Sequence, residues 1–371
     1  MDAFYASVEL LRYPELKGQA VVVGGRGSQA PVLQADGAHV FARLRDYVGR
    51  GVLTTSTYEA RALGVFSGMG TMKAARLAPD AVILPVDFES YRHYSQRFKA
   101  AVAAIAPAIE DRGIDEIYID LSTIQEDSLT LAKRIKAAVW EATGLTCSIG
   151  ITPNKLLSKI SSDLEKPDGI TILDWQDIPA RIWPLPAKKI NGIGPKAAEK
   201  LAALGIGTIG ELADTAPEVL QQHFGYNFAA WLHDAAHGID TRPVATHSEP
   251  KSISRETTFD RDLHAKQDKS SLSEIFTSLC THVSQDLKRQ GYQGRTIGIK
   301  LRYDDFQTVT SDYGLPRPTD NPALIRKAAG ECLKRVALEK RIRLLGVRIG
   351  NLSQAGVPEL TDEHCQTELP F

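Results

Sequence analysis

The chain has 371 residues, 43% of them hydrophobic and 24% charged, with a formal net charge of −1. This composition suits a globular protein of two to four folding units and excludes collagenous or low-complexity chains. No apolar run approaches the roughly 20 residues that span a bilayer, and no basic-then-apolar leader is visible, so neither a membrane partner nor a secretory leader is expected. Cys147, Cys280, Cys332 and Cys365 lie far apart with no CxxC. That spacing argues against a zinc site or disulfide framework and fits a reducing, cytoplasmic setting.

In chain order, FYASVELLR (4–12) reads as a short helix entering a turn at Tyr13-Pro14, and QAVVV (19–23) as a buried strand ending at Gly24-Gly25. Residues 26–51 are irregular, with a short helix expected over 38–48. GIDEIYIDLS (113–122) alternates as a strand, SLTLAKRIKAAVWEATG follows as an amphipathic helix ending near Gly144, and LTCSIGITP (145–153) reads as the next strand. Strand, helix and strand with short links imply an α/β unit. Residues 184–220 are helical with glycine-rich turns, 236–250 read as a polar linker, and the remainder alternates strands and helices as an α+β module with a flexible tail.

Charge is unevenly spread. Residues 251–350 carry 19 Lys and Arg against 12 Asp and Glu, whereas residues 1–250 carry 25 against 29. One module suited to a polyanion beside another suited to cations would produce this split, as would an ordinary solvated face.

Several stretches are suited to chemistry. Asp115-Glu116 offers two adjacent carboxylates, which suit a divalent cation with oxygen ligands or, taken alone, a surface salt bridge. In TTSTYEARALGV (54–65), Tyr58 and Arg61 are spaced to share a helix face, as a phosphate clamp or as a plain helix start. LEKPDGI (164–170) presents Lys166 ahead of Pro167 and a turn, where it can serve as a point charge or face solvent. INGIGPKAAEKL (190–201) has two glycines before a helix, the spacing of a helix–hairpin–helix backbone binder or a tight helical turn. The terminal QTELPF (366–371) suits docking into an apolar pocket.

Taken together and in this order, MDAFYASVE, YEARALGVFSGM, GIDEIYIDLS, SIGITPNKLLSKISSDLEKPDGI and INGIGPKAAEKL resemble the motifs of the Y family of DNA polymerases, in its bacterial DNA polymerase IV branch. The resemblance covers essentially the whole chain. It implies an α+β multidomain right hand. A ferredoxin-like palm would comprise 1–10 and 68–160, with fingers at 11–67 containing an insertion at about 26–52. A helical thumb at 161–235 would carry the helix–hairpin–helix, a linker would run 236–250, an α+β little finger 251–352 and a tail 353–371. The implied reaction is low-fidelity addition of dNMPs to a primer 3′ end during translesion synthesis, using two Mg²⁺ and no proofreading.

By motif, Asp115 and Glu116 would be the catalytic metal ligands, joined by the Met1 backbone carbonyl. Phe4, Tyr5, Thr55, Tyr58, Arg61 and Lys166 would bind the nucleotide, with Tyr5 as the steric gate against ribose. Gly192, Gly194, Lys196, Lys251, Arg255, Lys300 and Arg302 would contact DNA. Gln366, Leu369 and Phe371 would bind the replication sliding clamp. The implied partners are primer-template DNA, dNTPs and the clamp, with the protein a monomer. Two departures accompany the resemblance. Gly70 stands where proline is common. The motif's first aspartate and most of its strand would lie before Met1, so the chain is expected to bind DNA and clamp with impaired catalysis unless that carboxylate is supplied.

Overall fold

The computed structural model describes residues 1–356. After two extended residues comes helix α1 (Phe4–Arg12), as the sequence predicts, burying Phe4, Ala6 and Val8. Strands β1 (Val21–Gly24), β2 (Val32–Leu33), β3 (His39–Val40) and β4 (Leu53–Ser56) lead to helices α2 (Tyr58–Ala62) and α3 (Thr71–Leu77) and to strand β5 (Val82–Leu84). β1 lies between antiparallel β4 and parallel β5, and its residues are buried on both faces.

The helix expected over 38–48 is not formed. His39–Val40 instead pairs with Val32–Leu33 in a small exposed hairpin, turned at Gly37 with φ 84. Leu44–Asp46 follows as a single 3₁₀ turn that buries Leu44. The apolar spacing that suggested a helix is thus divided between an exposed ribbon and a packed turn.

Helix α4 (Phe88–Ala103) starts at Asp87, whose carboxylate accepts from Ser90 N–H at 3.1 Å. Strands β6 (Ile109–Asp111) and β7 (Ile117–Ile119) form an antiparallel pair. Helix α5 (Ser128–Thr143) is capped by Asp127, which accepts from Thr130 N–H at 2.9 Å, and ends at Gly144 in the left-handed region with φ 69. Strand β8 (Ile149–Ile151), helix α6 (Lys155–Ser161) and strand β9 (Ile170–Ile172) follow, with β8 and β9 parallel. Helices α4 and α5 pack through Phe98, Val102, Leu131, Ile135 and Val139.

The strand expected over 113–122 is only three residues long, because residues 113–115 bend. Asp111 Oδ1 accepts from Gly113 N–H at 3.1 Å, and Lys99 Nζ donates to Gly113 O at 2.8 Å, which holds the bend. Asp115 therefore precedes the strand rather than alternating within it. The next strand is likewise confined to Ile149–Ile151.

Helices α7 (Pro195–Ala203), α8 (Ile209–Ala213), α9 (Pro217–Phe224) and α10 (Tyr226–Ala236) share a core of Ile182, Ile190, Leu201, Ile209, Leu220 and Leu232 with Leu157 of α6. The polar stretch after α10 is tied down. Asp240 accepts from Leu156 N–H at 3.1 Å, Lys155 Nζ donates to Pro243 O at 2.6 Å, and Ala245 N–H donates to Glu110 at 2.8 Å.

A second compact unit begins at Ser248. It contains β10 (Ser252–Leu263), α11 (Lys269–Gln290), β11 (Tyr292–Tyr303), β12 (Thr308–Thr319), α12 (Pro322–Leu333) and β13 (Ile342–Gln354). The sheet has antiparallel order β10-β13-β11-β12. Odd-numbered residues such as Ile253, Ile297, Ile299 and Leu301 pack against Phe276, Val283 and Ile325 of the two helices. Even-numbered Lys300 lies on the opposite face, as strand alternation requires.

Candidate active site

Between β7 and β8 lies a cavity of about 580 Å³. Phe98 and Val102 of α4 and Ile135 and Val139 of α5 line it, as do Ile117, Ile119, Ile149 and Ile151 from the two strands. β7 pairs only with β6 and β8 only with β9 among the described residues. The expected α/β unit is therefore present with its two strands separated by this space. Met1 lines one end of it, with its ammonium donating to Asp115 O at 2.8 Å, and the adjacent Asp2 N–H donates to Thr146 O at 3.2 Å. Burial lowers the pKa of that ammonium, against the opposing charge of Asp115.

Asp115, Glu116 and Lys166 line the same cavity, together with Lys159. Lys159 Nζ donates to Glu116 Oε2 at 3.0 Å. Burial alone would lower the lysine pKa, but its hydrogen bond and charge pairing with Glu116 outweigh burial and raise it. Lys166 Nζ lies 2.7 Å from Asp163 Oδ1. Burial works against the Asp163 charge, yet the Lys166 hydrogen bond and charge hold its carboxyl below the usual range.

Thr55, Tyr58, Arg61, Phe4 and Tyr5 do not line the cavity. Tyr58 begins α2, where Thr57 Oγ1 accepts from Ala60 N–H. The Arg61 guanidinium sits 4.8 Å from the Tyr58 ring centroid, and Arg61 Nε donates to Ser56 O at 3.1 Å. The Tyr58 hydroxyl is buried beside the Arg61 guanidinium, and its O–H meets no acceptor among the described residues. Burial, then the charge of Asp2, raises its pKa. An unsatisfied buried donor beside a guanidinium suits an anionic oxygen. Thr55 is buried on β4 opposite Val23.

Phe4 is enclosed in the core at 2% exposure. Tyr5 is half-buried, its ring centroid 4.4 Å from Tyr91 and 6.1 Å from Phe88. Tyr91 donates to Glu9 at 2.5 Å, a bond that fixes the aromatic cluster beneath Tyr5. Burial and then the charge of Asp115 raise the Tyr5 pKa.

The glycine hairpin has the form expected from the sequence. Gly192 has φ 121, and a Cβ there would lie 2.6 Å from Trp231. Gly194 is the N-cap of α7, with no side-chain cap bond, Pro195 at the first helical position and open space around it. Lys196 and Lys251 are exposed. Lys300 Nζ donates to Glu256 at 2.8 Å, and Arg302 Nε donates to Thr308 Oγ1 at 3.0 Å. Arg255 points to the helix side of its sheet, where it pairs with buried Asp286, also held by Arg289 at 2.6 Å. Gln366, Leu369 and Phe371 lie outside the described residues.

Sequence reading missed Lys159 and Asp163. Asp163 stands three residues before Lys166, a spacing that could have flagged the pair; the Lys159–Glu116 contact spans 43 residues and has no local signal.

The impB/mucB/samB family model matches residues 1–163, that family's C-terminal domain model residues 250–361, and the DNA polymerase-iota thumb domain model residues 188–240. A protein named DNA polymerase IV from Methanoculleus marisnigri is 38% identical, covering 95% of this chain and 92% of its own length. A DNA polymerase IV from Streptococcus suis is 35% identical over 95% and 94%. A solved Y-family DNA polymerase chimera of Dbh and Dpo4 superposes with a TM-score of 0.78 at 25% identity, covering 94% of this chain and 96% of that one. On full-length similarity above 30% identity and a shared fold, the chain belongs to the DNA polymerase IV group of the Y-family DNA polymerases.

Proposed function

We propose that this protein is a DNA-directed DNA polymerase of translesion synthesis, adding dNMPs to a primer 3′ end at low fidelity and without proofreading. The observation that carries this reading is the convergence of Asp115, Glu116 and Lys166 on one cavity. Two adjacent carboxylates fit a hard divalent cation, although no group of three acidic, histidine or cysteine side chains converges among the described residues. Asp115 and Glu116, with the Met1 carbonyl, would hold two Mg²⁺, which supply the charge that activates a 3′ hydroxyl and neutralises the departing pyrophosphate.

Lys166, Arg61, Tyr58 and Thr55 would bind the triphosphate, with the Tyr58 hydroxyl donating to a phosphate oxygen. Tyr5 would stand against the sugar, held by Phe4, Phe88 and Tyr91, and exclude a 2′ hydroxyl. Residues 1–10 and 68–160 would be the palm, 11–67 the fingers, 161–235 the thumb and 251–352 the little finger. Gly192, Gly194, Lys196, Lys251, Lys300 and Arg302 would meet the DNA backbone, and Gln366, Leu369 and Phe371 a sliding clamp.

A second reading, a DNA- and clamp-binding protein with impaired catalysis, is favoured by one observation. Lys159 Nζ is bonded to Glu116 Oε2 at 3.0 Å, which sets a positive charge against one of the two carboxylates that a cation would use. Primer extension with Mg²⁺ separates the two. Template-directed synthesis that Asp115→Ala reduces at least 10³-fold, about 4 kcal/mol of transition-state stabilisation, with DNA affinity unchanged, supports the first. DNA binding without extension supports the second, and absence of DNA binding defeats both.

A further inference from the structure

Asp2 is 2% exposed, forms no ion pair among the described residues and does not line the cavity. A buried carboxylate of this kind persists only with hydrogen bonds to both oxygens, and both are used. Oδ1 accepts from the Ser148 hydroxyl at 2.7 Å, and Oδ2 accepts from Asp168 N–H at 2.9 Å. Asp168 lies two residues beyond Lys166 and has φ 61, in the left-handed region that aspartate enters more readily than most residues. Two further contacts hold the same turn. Gly169 N–H donates to Ser148 Oγ at 3.4 Å, and Lys136 Nζ donates to Asp168 O at 2.7 Å and Oδ1 at 2.5 Å. Lys136 is anchored in turn on Cys147 O at 2.5 Å.

The turn at 168–169 is thus fixed by groups 21 to 166 residues distant in sequence. We propose that Asp2 is a positioning residue for nucleotide binding: its carboxylate clamps the turn after Lys166 and so sets where the Lys166 ammonium stands. The proposal rests on the reading that Lys166 binds the triphosphate. Because Asp2 also holds Ser148, which anchors Gly169, the loss of one carboxylate frees the turn at two points. Lys166 would then spread over more positions and lose the preorganisation that makes a point charge effective on a phosphate.

The test is direct binding of a fluorescent dNTP analogue to the full chain on primer-template DNA, a readout that needs no turnover. Asp2→Ala is expected to raise the dNTP Kd at least tenfold while DNA affinity stays within twofold. Asp2→Asn is expected to stay within threefold, since its amide oxygen can accept from Asp168 N–H while its amide donates to Ser148 Oγ. Lys136→Met, which loosens the same turn from the other side, should raise the Kd severalfold and covers the case in which Asp2→Ala fails to fold.

A double-mutant cycle identifies the route. Asp2→Ala combined with Lys166→Ala should bind dNTP no more weakly than Lys166→Ala alone, because the clamp acts only through the lysine. Additive losses, or an Asp2→Ala protein with unchanged Kd, would overturn the proposal. If Lys166→Ala itself leaves the Kd unchanged, the underlying reading of Lys166 fails instead.

Discussion

At the scale of single residues, Gly70 is a site where the backbone already has the shape that another residue would impose. It is the N-cap of α3 with φ −60 and ψ 131, and a Cβ there meets nothing within 4 Å. Its bridge to Val52 is made by neighbouring residues, Leu53 N–H to Met69 O and Thr71 N–H to Gly51 O, so its own N–H is not required. Proline fixes φ near this value and narrows the unfolded ensemble. Gly70→Pro is therefore expected to stabilise the protein by about 0.4–1 kcal/mol, measured as a higher midpoint in urea with unchanged slope. A lower midpoint would show that the turn needs glycine. The sequence made residue types such as Tyr58, Arg61 and Lys166 legible as candidate phosphate ligands, because their chemistry is local. The partners that hold Lys166 and its turn, Asp163 apart, were not legible, since Asp2, Lys136 and Ser148 reach that turn only through the tertiary fold.

At the scale of elements, legibility follows how locally each element is specified. α1 and α5 matched expectation because apolar periodicity, an Asp cap at α5 and left-handed Gly144 all lie within the segment. The strand over 113–122 and the helix over 38–48 failed because longer-range contacts decided them, from Lys99 to Gly113 and from β2 to β3. The start of α11 shows a constraint from just outside the helix, with a pH signature. Asp268, its N-cap residue, makes no side-chain cap bond to the helix. Its carboxylate instead accepts two Arg261 hydrogen bonds and His264 N–H at 2.8 Å. Arg261 first, then the His264 amide, depress its pKa to about 2. A carboxyl lowered in the folded state contributes stability that is present above its unfolded value of about 3.9. That stability is lost as pH falls toward 2. Arg261→Ala should flatten this acid loss, read as the pH dependence of chemical denaturation between pH 4.5 and 2. An identical slope in both proteins would remove Arg261 from the account.

At the scale of the whole molecule, the excess of basic residues over 251–350 overstates the charge free to meet a phosphate backbone. Lys300 is paired with Glu256, Arg348 with Asp312, Lys340 with Asp305, and Arg255 and Arg289 with Asp286. Lys251 and Arg302 have no acidic partner among the described residues. Each cation that neutralises a DNA phosphate releases condensed counterions, so log K falls with log salt by about 0.9 per contact. Lys251→Ala and Arg302→Ala should each reduce that slope by about one and weaken binding uniformly across sequences. Arg255→Ala should leave the slope unchanged and instead cost about 1 kcal/mol of stability, because buried Asp286 loses one of its two guanidinium partners while the half-exposed arginine limits the strength of the pair. The measurement is DNA affinity from 50 to 300 mM salt alongside urea unfolding of each variant. A slope that drops with Arg255→Ala but not with Lys251→Ala or Arg302→Ala would mean that DNA displaces Asp286 from its arginine, and would assign the binding face to the helix side of the sheet.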